Sequence, residues 1–292
     1  MDISLDHGRL SIDHSLNDNT TMDYGPFDYG LKSKNMNRLN QLFQEKKNNL
    51  LSIYYTAGYP KLNSTIVIAE ALEKAGADFL EIGFPYSDPV ADGPTIQHSS
   101  ECALESGMSL NVLFEQLKDL RNRVSIPILL MGYVNPIVQY GVERFCKKAA
   151  EVGVDGIIVP DLPMYEYESM YAPFFKDNNL SNIFLVTPQT SPERIRKIDE
   201  LSNSFIYLLS SSSITGGNLS VSVNIEEYYK RVVAMQLNNP TIIGFGITDK
   251  ASFDKACEYA NGAIVGSKFV KLLGEEDYLE KIPAFIASIK QA

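Results

Sequence analysis

The sequence predicts an α/β fold: a single-domain (β/α)8 TIM barrel with a short N-terminal helix and a flexible N-terminal extension. Between residues 51 and 289, short apolar runs alternate with helical patterns, giving eight strand-then-helix units. The runs are apolar throughout, which is typical of parallel strands covered on both faces. Eight such units in about 250 residues match the size of a (β/α)8 barrel. A doubly wound open sheet is the structural alternative, but it rarely needs eight strands with such even spacing.

The first predicted element is a short amphipathic helix that begins at Met36, with Leu39, Leu42 and Phe43 on one side. Ser64 is expected to cap the next helix, because serine oxygens accept hydrogen bonds from exposed helix amides. The predicted strands are 51–56, 79–84, 126–131, 155–159, 182–186, 205–209, 241–244 and 262–265. The predicted helices run up to 74, from about 95, over 112–122, 142–152 and 166–176, from 191, and over 225–235, 251–259 and 279–289.

Residues 1–35 show little apolar periodicity, so we expect a flexible extension there and the barrel domain over 36–292. The net charge of −10 argues against a nucleic-acid partner. No apolar run reaches the length of a membrane span, and the first residues lack a signal-peptide pattern. The sequence therefore predicts a cytoplasmic protein without a membrane partner.

Cysteine and histidine are poor candidates for the chemistry of this chain. Its three cysteines are widely spaced and odd in number, which indicates neither a disulfide framework nor a zinc site. Two of its three histidines lie in the predicted extension. Asp88, Asp92 and Asp161 have no His or Cys nearby at ligand spacing, so no metal site is expected. This composition favours chemistry carried by carboxylates.

One carboxylate stands out because it interrupts a predicted strand. Strand side chains alternate, so Phe79, Glu81 and Gly83 share one face near the carboxyl end of that strand. We expect the glycine to leave Glu81 accessible at one side, and a half-apolar setting to raise its pKa. The alternative is a structural role, in which Glu81 caps a backbone group or pairs with a nearby base.

Glycines are concentrated at the carboxyl ends of the last predicted strands. They occur in Thr215–Gly217, Gly244–Gly246 and Gly266-Ser267. Exposed backbone amides at such positions bind phosphate without a cationic side chain, and barrels often carry a phosphate site after strands seven and eight. The residues alone therefore predict a barrel that binds a small phosphorylated molecule opposite a carboxylate.

Several motifs resemble one family. The stretch Leu80-Glu-Ile-Gly-Phe-Pro-Tyr-Ser-Asp-Pro-Val-Ala-Asp-Gly-Pro-Thr-Ile-Gln97 is similar to the signature of the tryptophan synthase alpha subunit family. Residues 132–136, 153–163, 190–194 and 244–247 match the same family in the same order. The resemblance covers residue 36 to the end, and the leader has no counterpart in the family pattern.

The resemblance implies a lyase of tryptophan biosynthesis. Its reaction is the retro-aldol cleavage of indole-3-glycerol phosphate to indole and glyceraldehyde 3-phosphate, without a cofactor. Glu81 matches the family residue that acts as acid and base, and Asp92 matches the aspartate that holds the indole N–H. Tyr207 matches a tyrosine that lines the same pocket.

Further binding residues follow from the same resemblance. Tyr54 and Phe245 match apolar positions around the indole ring. Amides that would hold the phosphate are matched at Gly216, Gly246, Gly266 and Ser267, with Thr215 retained beside them.

The loop after the sixth strand departs from the family pattern Ser-Arg-x-Gly-Val-Thr-Gly. Ser211 stands at the arginine position and Ser213 at the first glycine, which puts loop closure and its coupling to a partner in doubt. The family works with a beta subunit, commonly as an α2β2 heterotetramer. Residues 85–94 and 161–165 lie where that partner docks in the family, although ordinary rigid barrel loops are the alternative.

Three other functions compete with this hypothesis. Another phosphate-binding barrel, such as a sugar-phosphate isomerase or an indole-glycerol phosphate synthase, would favour a lysine or a cysteine at the strand ends. The strand ends identified above have neither. A catalytically weak subunit that mainly binds the beta partner is suggested only by Ser211 and Ser213. A stand-alone lyase that releases free indole is the third alternative.

Overall fold

The computed structural model describes residues 36–209, 224–244 and 246–291. The predicted extension, residues 1–35, and the altered loop with Ser211 and Ser213 lie outside the described residues. The described strands are β1 (Leu50–Thr56), β2 (Phe79–Gly83), β3 (Ile128–Met131), β4 (Gly156–Ile158), β5 (Ser181–Ile183), β6 (Leu185–Val186), β7 (Ile206–Leu209), β8 (Thr241–Gly244) and β9 (Gly262–Val265).

Helices follow these strands throughout the described chain. They are α1 (Arg38–Glu45), α2 (Thr65–Ala75), α3 (Pro94–Glu105), α4 (Leu110–Gln116), α5 (Leu120–Arg123), α6 (Val134–Tyr140), α7 (Val142–Glu151), α8 (Met164–Glu166), α9 (Ala172–Asp177), α10 (Pro192–Leu201), α11 (Ile225–Ala234), α12 (Lys250–Cys257), α13 (Ser267–Leu273) and α14 (Tyr278–Lys290). A 3₁₀ turn, Leu117–Asp119, joins α4 to α5, and a π-helical turn, Tyr167–Tyr171, joins α8 to α9.

The strands form one parallel sheet that closes into a barrel. Its order is β5-β4-β3-β2-β1-β9-β8-β7-β6. The two ends of this order, β5 and β6, are separated only by Phe184, whose carbonyl accepts a hydrogen bond from the Tyr207 amide at 2.9 Å. They are therefore two halves of one strand that pairs with β4 on one side and β7 on the other. The predicted eight-stranded (β/α)8 barrel is confirmed.

The barrel interior and the layer between barrel and helices are separate apolar cores. The interior contains Leu50, Phe79, Leu129, Tyr207 and Ile264 among other side chains, all buried. Alternate residues of the same strands, such as Leu80 and Ile82, face the helices instead. This division explains why the strands read as continuous apolar runs in the sequence.

Helix α1 closes the amino-terminal end of the barrel. Its buried residues Leu39 and Phe43 belong to the interior core. The Phe43 ring lies 5.5 Å from that of Phe205 and 6.3 Å from that of Phe79, measured between centroids. The predicted amphipathic helix is thus present, and its apolar side fills the bottom of the barrel.

The elements differ from prediction in a few places. Ser64 precedes α2, but its hydroxyl donates to the carbonyls of Tyr59 and Lys61 and does not cap the helix. The predicted helix 112–122 is broken by the 3₁₀ turn, and 166–176 contains the π-helical turn. Helices α6 and α13 were not expected, because glycine and proline near their starts resemble loop signals.

Two further properties concern the described part of the chain as a whole. None of its helices combines the length and the apolarity that a membrane span requires. It contains no group of three or more His, Cys, Asp and Glu side chains placed to bind a metal ion.

Candidate active site

A cavity of about 320 Å³ opens at the carboxyl ends of the strands. This is the end of a barrel at which strand-end loops carry functional residues. Of the residues proposed from the sequence, six line it: Tyr54, Asp92, Tyr207, Gly246, Gly266 and Ser267. Phe245, Thr215 and Gly216 lie outside the described residues. The structure thus brings together side chains from β1, β7 and the loop after β2 with the backbone at the ends of β8 and β9.

Glu81 lies in the barrel interior beside this cavity. It is 0% exposed, so the expectation that it would be accessible at one side was wrong. The physical reason is a phenol ring that fills the space beside the Glu81 side chain. The ring of Tyr54, on the neighbouring strand, occupies the space that Gly83 leaves free, so the glycine makes room for this ring and does not open a path to solvent.

The carboxyl group of Glu81 has little polar compensation. The Ser52 hydroxyl donates a hydrogen bond to Oε1 at 3.4 Å, whereas Oε2 has no partner. No ion pair to Glu81 occurs within 36–209, 224–244 and 246–291, so the alternative of a paired structural carboxylate is not realised there. Burial raises the pKa of Glu81 to about 8, and the Ser52 hydrogen bond opposes this shift. The carboxyl group is therefore mostly protonated at neutral pH.

Asp92 lies on the loop between β2 and α3, half-buried at the mouth of the cavity. Burial raises its pKa to about 6, and a hydrogen bond with Tyr133 lowers it in part. The loop is held in place, because the Tyr133 hydroxyl accepts a hydrogen bond from the Ala91 amide at 2.9 Å. The Gln97 side chain donates to the Asp92 carbonyl, also at 2.9 Å. Asp92 is thus mostly ionised at neutral pH, in contrast to Glu81.

Two tyrosines form opposite parts of the cavity wall, and each lies over a glycine of an adjacent strand. A Cβ atom at Gly83 would overlap the Tyr54 hydroxyl, and one at Gly244 would overlap the Tyr207 hydroxyl. Burial raises the pKa of both phenols, and the charges of Glu81 and Asp92 raise it further. Both therefore stay neutral and offer aromatic faces with one polar end each.

The backbone at the ends of β8 and β9 forms the other side of the cavity. Gly246 has a φ of +77°, in the left-handed region that glycine adopts without strain. Helix α13 begins at Ser267, so its first amides lack helical acceptors and suit an anion. Lys268 also lines the cavity, and its Nζ donates to the Thr248 carbonyl.

Sequence reasoning missed two polar residues of this region, Ser52 and Lys268. Ser52 shares the inward face of β1 with Tyr54, so the alternation of strand side chains could have placed it beside Glu81. Lys268 follows the predicted Gly266-Ser267 element directly, but phosphate binding was expected from the amides of that element alone.

A larger groove of about 510 Å³ lies nearby, between residues 86–90 and helix α3. It is an open surface groove with Asp88, Glu101 and Glu105 among its lining residues. None of these carboxyl groups is buried. We therefore place the chemistry at the smaller cavity, which Asp92 lines and beside which Glu81 is buried.

Comparison with known proteins gives a consistent result. A family described as "Tryptophan synthase alpha chain" matches residues 39–290. The tryptophan synthase alpha chain of Flavobacterium psychrophilum is 54% identical over 254 residues, which are 87% of this chain and 100% of that protein. That of Christiangramia forsetii is 54% identical over 255 residues, covering 87% of this chain and 99% of the relative.

Solved structures agree with these sequences. Tryptophan synthase subunit alpha from Legionella pneumophila has a TM-score of 0.78 at 31% identity, covering 88% of this chain and 98% of that one. A chain of the tryptophan synthase complex from Pyrococcus furiosus has a TM-score of 0.73 at 34% identity, covering 83% of this chain and 98% of that one. A chain of tryptophan synthase from M. tuberculosis, in its aminoacrylate-bound form, has a TM-score of 0.76 at 30% identity, covering 87% and 98%.

Proposed function

Since this chain belongs to the tryptophan synthase alpha chain family, we propose that Glu81 and Asp92 carry the carbon–carbon lyase reaction of that family. The chain cleaves indole-3-glycerol phosphate to indole and glyceraldehyde 3-phosphate in tryptophan biosynthesis. The family resemblance predicted from the sequence is confirmed. The roles of individual residues are our proposal.

Cleavage needs two proton transfers. Protonation of indole C3 makes the ring an electron sink, and removal of the proton from the adjacent glycerol hydroxyl lets the C–C electrons return to the ring. The new carbonyl belongs to glyceraldehyde 3-phosphate, and indole leaves as a neutral molecule. One carboxyl group can donate the first proton and accept the second, so it ends the cycle protonated, as it began.

Glu81 is the group we assign to both transfers, and its unpaired burial is the observation that carries the proposal. Its pKa of about 8 makes the protonated acid available at pH 7. The same value makes the carboxylate, once formed, a stronger base than an ordinary glutamate. Because Glu81 is 0% exposed, its side-chain torsions must change for the carboxyl group to reach the substrate.

Asp92 is the group we assign to the indole nitrogen. With a pKa of about 6 it is mostly ionised at pH 7, and it lines the cavity from the loop after β2. Protonation of C3 places positive charge on the ring nitrogen, and a nearby carboxylate stabilises that charge in a site of low dielectric. The indole ring would lie between the phenol rings of Tyr54 and Tyr207. Phe245 stays a predicted contact.

The phosphate would bind at the ends of β8 and β9. Gly246, Gly266 and Ser267 present backbone to the cavity there, and the amino-terminal end of α13 favours negative charge. The ammonium group of Lys268 adds a positive charge on the same side. Thr215 and Gly216 stay predicted contributors from the loop after β7. The substrate therefore spans the cavity, with the ring near Asp92 and the phosphate near Ser267.

A beta subunit is the partner we propose, in an α2β2 assembly. Support comes from the Pyrococcus furiosus relative, which is described as a tryptophan synthase complex. In this chain, Val90 and Tyr165 are 81% and 78% exposed, and they lie in or beside the two loops predicted to dock the partner. These exposed side chains are available for contact with a partner. Cytoplasmic localisation stays a prediction from the sequence.

Indole release from indole-3-glycerol phosphate tests the proposal. We expect the full chain alone to release indole slowly and added beta subunit to accelerate this release. In Glu81→Gln, we expect indole release to be lost both with and without the beta subunit. Glu115→Gln is the matched control, because Glu115 lies on the surface, where it pairs with Lys118. Fast release without the partner would indicate a stand-alone lyase. A Glu81→Gln variant with wild-type release would overturn the assignment of Glu81.

A further inference from the structure

Glu81 has one polar neighbour that no functional role yet explains, the hydroxyl group of Ser52. Both residues are 0% exposed, and both face the interior of the barrel from adjacent strands. Ser52 lies two residues before Tyr54, and it is therefore one layer deeper than the cavity wall. Its surroundings are apolar, with Phe79 and Ile264 at the same register on the flanking strands.

A buried hydroxyl in apolar surroundings costs free energy unless it is hydrogen-bonded. In the described part of the chain, the side chain of Ser52 makes one hydrogen bond, and its acceptor is Glu81 Oε1 at 3.4 Å. Oε2 has no partner. The described residues thus hold the carboxyl group by a single hydrogen bond, and no second one fixes its other oxygen.

We propose that Ser52 is a positioning residue that holds the Glu81 carboxyl group below the cavity between turnovers and stabilises its ionised form in this resting position. This inference rests on the proposed catalytic role of Glu81. At 3.4 Å the contact is longer than the roughly 2.6 Å of a hydroxyl–carboxylate bond. It therefore has room to shorten when Glu81 is ionised in this resting position.

The direction of the pH effect follows from this hydrogen bond. A hydroxyl donor stabilises the carboxylate more than the acid, so its removal raises the pKa of Glu81. The other titratable groups around Glu81 are the phenol of Tyr54 on β1, the phenol of Tyr207 on β7, and Asp92 on the loop after β2. All three are unchanged by substitution at Ser52.

The test is the pH dependence of indole formation in Ser52→Ala, measured with the full chain and its beta subunit. Since the protonated form of Glu81 starts the reaction, kcat/KM falls as pH rises through its pKa. We expect this fall to occur about 0.5 to 1 pH unit higher in the variant than in the wild type. At pH 7 we expect kcat/KM to change by less than about twofold, because Glu81 is already mostly protonated there in both proteins.

Ser204→Ala is the matched control. Ser204 is also buried, but its hydroxyl has no partner and lies before β7, at the opposite end of the barrel. This control should keep the wild-type profile. In Ser52→Thr, which retains the hydroxyl, kcat/KM should also fall at the same pH as in the wild type. If Ser52→Ala and Ser204→Ala gave the same profile, Ser52 would have no positioning role.

Two further variants keep the outcome decisive. If Ser52→Ala fails to fold, Ser52→Cys replaces the hydroxyl with a weaker donor of similar size. We expect its profile to move in the same direction by a smaller amount, and an unmoved profile would overturn the inference. Glu81→Gln separates the two levels, because an active Glu81→Gln contradicts the proposed function itself, whatever Ser52 does.

Discussion

Two of the buried carboxyl groups in the described part of the chain, Glu81 and Asp155, lie toward opposite ends of the barrel and differ in their partners. Asp155, directly before β4, is 1% exposed and accepts hydrogen bonds from Arg121 at 2.6 Å and Arg38 at 3.1 Å. It also accepts one from the Ile128 amide at 2.9 Å. Glu81 is equally buried, but among the described residues its carboxyl group has a single hydrogen bond, with Ser52.

The difference separates a structural carboxylate from a chemical one. Two guanidinium groups and a backbone amide compensate the charge of Asp155. These contacts connect α1 and the segment before β3 to the amino-terminal end of the barrel. The charge of Glu81 is compensated by nothing charged, so its proton is retained at neutral pH and can be transferred. Removing the Asp155 carboxylate should therefore reduce stability, and removing the Glu81 carboxyl group should reduce activity.

The largest expected effect is on activity, from Glu81→Gln. We expect indole formation to fall about 10²- to 10⁴-fold, the usual contribution of a positioned acid–base group. The fold should persist, because the glutamine occupies the same volume without an unpaired charge. Steady-state rates and a far-UV spectrum measure the two properties. If indole formation fell by less than about threefold in Glu81→Gln, the chemical role that distinguishes Glu81 from Asp155 would be contradicted.

The complementary effect is on stability, from Asp155→Asn. Two guanidinium groups lose their counter-charge, and we expect the free energy of unfolding to fall by about 3 kcal/mol. Activity per folded molecule should stay within about twofold, because Asp155 lies far from the cavity. Urea denaturation measures the stability, with Glu115→Gln as a surface control expected to change it by less than about 1 kcal/mol.

A third effect is the pH dependence of stability. The pKa of Glu81 is raised from 4.5 to about 8 by burial, so the folded state binds its proton more tightly than the unfolded state. Its contribution to stability is fully present below pH 4.5 and is lost as pH rises through 8. Relative to Glu81→Gln, the wild type should therefore lose on the order of 3 kcal/mol between pH 5.5 and 8.5.

Denaturation curves of the wild type and Glu81→Gln at these two pH values check this effect. Asp155→Asn provides the contrast, because its deficit should not shrink with rising pH. A constant difference between wild type and Glu81→Gln would mean that Glu81 is ionised throughout the range.

The smallest effect concerns the cavity wall. In Gly244→Ala the new methyl group overlaps the Tyr207 hydroxyl, so the ring must move. We expect kcat/KM to fall about tenfold, since a displaced wall misplaces the substrate. Glu115→Gln is the control, because Glu115 lies on the surface, where it pairs with Lys118. Equal losses in both variants would show that Tyr207 tolerates displacement.

Most of the fold was predictable because parallel strands and amphipathic helices leave strong periodic signals. The strands 241–244 and 262–265 have the same bounds in sequence and structure. Helix α6 was missed because it contains Pro136 in its first turn, where proline is tolerated although it also signals loops. Helix α13 begins directly after a glycine that was interpreted only as a phosphate contact.

The sequence suggested which residue types to expect in the candidate site, but not how deeply Glu81 is buried. Alternation along β2 placed Glu81 on one face with Phe79 and Gly83, but it could not show that Tyr54 reaches across Gly83 from the next strand. The contact with Ser52 depends on the register between β1 and β2, which local sequence does not determine. The full burial of Glu81, and hence the size of its pKa shift, therefore required the structure.

The measurement that tests the account most directly is the titration of Glu81 itself. Carbon-13 labelling of the glutamate carboxyl groups, followed by NMR between pH 3 and 10, resolves each titration in the folded chain. We predict one resonance that titrates near pH 8, absent from Glu81→Gln and retained in Glu115→Gln. If the resonance lost in Glu81→Gln titrated near pH 4.5, Glu81 would be an ordinary carboxylate, and its role as the proton donor would be contradicted.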